Sequence, residues 1–119
     1  MKHLQPAVAE VLVAEGELSD EMDYALANFV ANNLGFGFTP CQPQLVKLED
    51  GREVIRVGLD HTFVNKDNVL MGYGIVGYVF VDPETSEVIY CPSKEEVEEN
   101  VQILLSEGVE PRPRPRGKY

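Results

Sequence analysis

The stretch Gly74–Cys91, GIVGYVFVDPETSEVIYC, decides how this chain folds. Between Ile75 and Val81 almost every residue is apolar, and β-branched and aromatic side chains dominate, as suits a strand covered on both faces. Asp82-Pro83-Glu84-Thr85-Ser86 interrupts the run with turn chemistry, and Val88-Ile89-Tyr90 resumes it. The reading is a β-hairpin whose first strand is central in a sheet. Tyr78 and Phe80 fall on one face of that strand and Val79 and Val81 on the other. One face is expected to meet helices and the other a second subunit, which is an argument for self-association.

Towards the N-terminus, residues 44–59 predict a second hairpin. Asp50-Gly51 separates Leu45–Glu49 from Arg52–Val57, and both central residues of a type I′ turn require positive φ. Ile55, Val57 and Leu59 share one face of its second arm. The intervening segment Asp60–Tyr73, DHTFVNKDNVLMGY, predicts an irregular connection with a turn at Asn65-Lys66-Asp67-Asn68. Two helices flank the strands. The first starts at Ser19 or Asp20, with acidic residues in its first turn and an apolar stripe of Met22, Leu26, Phe29 and Val30, and ends at Gly35. The second follows Pro92, with Ser93 as cap, Glu96 three residues on, a stripe of Val97, Val101, Leu104 and Leu105, and Gly108 as its stop. Residues 1–17 fit a short helix through Val8, Val11 and Leu12, although Val11-Leu12-Val13 suits a strand as well.

The expected fold class is therefore α+β: a mostly antiparallel four-stranded sheet covered by amphipathic helices, with a flexible C-terminal tail. Residues 1–110 form a single compact domain in this reading. The remaining PRPRPRGKY alternates proline with arginine, which removes backbone donors and favours an extended chain. A helix followed by four strands is compatible with a cystatin-like wrap, an analogy of element order that carries no activity.

Charge is divided unevenly. All 20 acidic and 6 of the basic side chains lie before residue 111, a balance of -14, while Arg112, Arg114, Arg116 and Lys118 give the last nine residues +4. So acidic a body disfavours nucleic acid and attracts basic protein surfaces. No apolar run is long enough to span a membrane and no secretory leader is evident, so the expected location is cytoplasmic. Cys41 and Cys91 could form at most one disulfide, and the sequence leaves that open.

No catalytic or metal-binding pattern emerges. His61 and Cys91 are the one base and thiol that could start a nucleophilic site, but their spacing does not bring them together. Asp60, His61, Asn65 and Asp67 match neither a calcium loop nor HExxH. The glycines of Gly35–Gly37 form no phosphate loop, and no cofactor is implied, while Gly72-Tyr73-Gly74 could let backbone approach a ligand, although close packing or a bulge explains its glycines equally well. The preferred reading is a small non-catalytic protein-interaction module, an adaptor, inhibitor or regulator, with Arg112, Arg114 and Arg116 as partner-binding candidates. Its alternative is a small hydrolase or ligand-binding domain using His61, Tyr73 and Cys91.

Overall fold

The computed structural model describes residues 5–114, so His3 and Arg116 lie outside the described residues. The elements run β1 (Val8–Val13), α1 (Asp20–Leu34), β2 (Phe38–Leu48), β3 (Glu53–Val64), β4 (Leu70–Val81), β5 (Val88–Tyr90), α2 (Lys94–Ser106) and β6 (Arg112–Pro113). The fold is α+β and its sheet antiparallel: β1 to β5 lie side by side in chain order, and β6 pairs with β4.

The structure departs from the four-strand expectation in three places, two of which add a strand. Residues 8–13 are a strand rather than a helix, because backbone pairing with β2 from Val8↔Leu48 to Val13↔Leu45 outweighs a weak helical stripe. The segment Asp60–Tyr73 is not an irregular connection, since β3 continues to Val64 and β4 begins at Leu70. The turn between them is where the sequence places it: Asn65 Oδ1 accepts from the N–H groups of Asp67 and Val69, and Asn68 takes φ +62°. Finally, Arg112 and Pro113 add a short pairing opposite Gly72 and Met71.

The Asp50-Gly51 hairpin forms with a different turn. Gly51 has φ +93° and Asp50 is not in the positive-φ region, while Gly51 N–H donates to Leu48 O and Leu48 N–H to Arg52 O. This is a three-residue loop closed by a left-handed glycine, not the two-residue type I′ turn.

Both helix starts are capped as their sequences predict. Ser19 Oγ accepts from Met22 N–H and Ser93 Oγ from Glu96 N–H, each at 3.2 Å. Met22, Leu26, Val30 and Leu34 of α1 are buried in one cluster with Val57 and Leu59 of β3, Val76, Val79 and Val81 of β4, and Val97 of α2. Burial of each such side chain contributes roughly 1.5–3 kcal/mol before conformational entropy is set against it. The second helix is only partly seated: Val101 and Leu104 pack against the cluster, but Leu105 is 44% exposed. On the opposite face Val46, Leu48, Val54, Phe80 and Tyr90 form a second cluster, with Phe80 and Tyr90 edge to face. Phe80 is fully buried within one chain, so the two-faced strand gives no reason of its own for a second subunit.

Candidate functional site

The chemistry of this molecule gathers around an irregularity in the β3–β4 ladder. Asp60 pairs with Ile75 and Thr62 with Gly72, which leaves Tyr73 and Gly74 together opposite His61. Gly74 takes φ +136°, a conformation that side-chain-bearing residues rarely adopt. The resulting bulge aims groups to both sides of the sheet.

On the helix side it produces an aromatic row. His61 stacks on Tyr73 with ring centroids 5.3 Å apart and planes inclined by 20°. Phe38 of β2 lies 5.7 Å from His61, and Phe63 lies 5.6 Å from Tyr73. The imidazole is positioned by Gly37, whose carbonyl is 3.2 Å from Nδ1 and also accepts from Thr62 N–H. Phe63 is 39% exposed, so the row reaches the surface. His61 and Tyr73, chosen from sequence, are thus brought together; Phe38 and Phe63 complete a set that needed the strand register to be seen.

Cys91 does not join them. It follows β5 and packs against the helix-side core, with its Sγ 3.4 Å from Pro92 O. It lines a shallow cleft with Phe29, Asn33 and Lys94, to which neither His61 nor Tyr73 contributes. Burial pushes its thiol up to about 11, which opposes the thiolate that nucleophilic attack requires. Cys41 is also a free thiol, held near the same value of about 11 by burial first, then by the Asp60 carboxylate, with Arg114 acting in the opposite direction.

On the other side of the sheet the bulge serves Asp60, which is 2% exposed. Gly74 N–H donates to Asp60 Oδ1 at 3.0 Å, and Arg114 Nε to Oδ2 at 2.7 Å. Arg114 reaches this acid from the far edge of β4, because its own N–H donates to Leu70 O and the preceding residues pair with Met71 and Gly72. Thr39 lies opposite Asp60 on β2, and its hydroxyl is 2.7 Å from that of Thr62. Of the arginines proposed for partner binding, Arg114 therefore contacts its own domain, Arg112 is exposed on β6, and Arg116 lies outside the described residues.

A larger cleft of about 910 Å³ lies beside a bulge in β2, where Gln42 takes φ +48° and Gly16 N–H donates to Pro43 O at 2.8 Å. Leu18, Asp23, Ala27 and Gln44 contribute to its walls. Its only sequence signal is the Gln42-Pro43 break inside an otherwise regular strand. Among the described residues no group of three or more histidine, cysteine, aspartate or glutamate side chains could hold a metal ion, and no helix is long and apolar enough to cross a membrane. No family model, no curated protein and no solved structure matches this chain.

Proposed function

We propose that this chain is a small non-catalytic protein-interaction module that receives a polypeptide along strand β1. The observation that carries the reading is the edge itself. Among the described residues β1 pairs only with β2, and Val11, Leu12 and Val13 are 42%, 39% and 44% exposed. A strand edge bearing apolar side chains favours addition of another strand, with backbone hydrogen bonds supplying affinity and alternate side chains specificity. The acidic body, with Glu10, Glu15 and Glu17 in and just after this strand, favours a partner with basic character. A second copy offers a matching strand but the same negative charge, so it is the competing partner that acid pH favours.

The test is native mass spectrometry of the protein isolated gently from its own cells, beside the Leu12→Lys variant. A stoichiometric polypeptide, or a second copy, that is present with the unmodified chain and lost with the variant is the expected result. Identical monomers in both samples would sink the reading.

The His61–Tyr73 stack supports a second reading, ligand binding at the aromatic row. Saturable quenching of tyrosine fluorescence by a planar aromatic compound, abolished in Tyr73→Ala, is its expected signature.

A further inference from the structure

We propose that Asp60, Gly72 and Gly74 form a recognition site for a guanidinium group presented on an extended Pro-Arg segment, and that the chain's own C-terminal segment is its tethered ligand. The site lies across the sheet from β1 and is independent of the interaction assigned to that edge.

An acid as deeply buried as Asp60 is costly unless its oxygens receive donors. Gly74 supplies one from the backbone; the others come from the planar fork of Arg114, with Nε at 2.7 Å from Oδ2 and Nη2 at 3.5 Å from Oδ1. The fork crosses β4 through space that only glycine leaves. A Cβ at residue 72 would collide with Arg114 Nε and stand 2.5 Å from Asp60 Oδ2.

Receptor and ligand are distinguishable by burial. The Asp60 side chain is 3% exposed and that of Arg114 is 26% exposed, so the acid is built into the sheet while the cation is laid on from outside. Backbone pairing of Arg112–Pro113 with β4, plus one side chain read in a notch, is the chemistry of strand addition carried out within one chain. The pairing spans two residues, so much of the grip on this segment falls to the ion pair. Arginine also recurs at residues 112, 114 and 116, always between prolines or after one. A slide of two residues therefore presents the same chemistry again, and the ligand is a repeat rather than a unique residue.

The experiment uses the full chain with Arg112, Arg114 and Arg116 all changed to alanine, and a fluorescent peptide of residues 110–119, EPRPRPRGKY, as the probe. Fluorescence anisotropy is expected to show saturable binding. Affinity for the unmodified chain should be about tenfold or more lower, because the tethered segment competes at high effective concentration. A peptide with lysine in place of each arginine should also bind about tenfold or more weakly, since an ammonium lacks the fork. Adding Asp60→Asn should abolish binding. Equal binding of the lysine peptide, or survival of binding with Asp60→Asn, would mean that the acidic body attracts any cation and would overturn the proposal. So would a folded triple variant, checked by circular dichroism, that does not bind. If the triple variant does not fold, the Arg114 Nε–H signal of the unmodified chain decides. Loss of its protection from exchange as peptide is added supports displacement, and an unchanged signal at millimolar peptide overturns it.

Discussion

At residue 72 a single methyl group stands between a strand and its ion pair. Gly72→Ala places a carbon within contact distance of both charged partners, and Arg114→Ala leaves a buried carboxylate with the Gly74 N–H as its remaining donor among the contacts described above. Each substitution is expected to cost about 3 kcal/mol in urea unfolding, the low end for breaking a buried pair because the Arg114 side chain is partly exposed. Because both remove the same interaction, the double variant should cost well below the sum of the two. An additive result would show that Gly72 serves something other than passage of the guanidinium. Cys41 supplies a pH-dependent prediction. Its thiol is raised from an ordinary 9.0 to about 11 in the fold, so above pH 9 the unfolded chain releases a proton that the folded chain keeps. Unfolding then becomes easier as pH rises from about 9 towards about 11, with full stability retained below 9 and a loss of at most about 1.4 kcal/mol per pH unit from this group. Cys41→Ala should flatten that alkaline decline relative to the unmodified chain, as measured by urea unfolding at pH 8 and pH 10.

The elements divide by how locally their causes are written. Both helices announce themselves because capping and apolar spacing are short-range: Ser19 to Met22 and Ser93 to Glu96 are each three residues apart. Ser93→Ala is expected to cost about 1 kcal/mol of thermal or urea stability, and Leu26→Ala, at 2% exposure in the core, about 2–5 kcal/mol. Strand β3 beyond Leu59 hides itself for the opposite reason. Asp60 and Thr62 break the apolar pattern, and the arginine that makes Asp60 tolerable in a sheet lies 54 residues away. No local rule links the two. The aromatic row was half legible on the same grounds: His61 and Tyr73 stood out by residue type, whereas Phe38 and Phe63 join them only through strand register and the bulge at Gly74. The hairpin at Asp50-Gly51 falls where the dipeptide places it, yet its three-residue loop depends on the φ of Asp50, which the dipeptide alone does not set.

For the molecule as a whole, charge and edges act together. A formal charge of -10 sets copies repelling one another at neutral pH, and the repulsion fades near the isoelectric point of about 4.5. Light scattering is therefore expected to rise as pH falls towards that value, and Leu12→Lys, which puts a cation on the exposed strand, should suppress the rise. No change with the variant would place the contact elsewhere than β1. Among the described residues the far side of the sheet offers no comparable edge: β5 is three residues long and followed closely by Pro92, while β6 is two residues long and contains Pro113. Proline withholds the donor that a further strand would need. On the proposed function, β1 is the one edge among the described residues open to coupling, so edge-to-edge growth stops when two such edges meet, and the concentrated protein should yield closed pairs rather than fibrils.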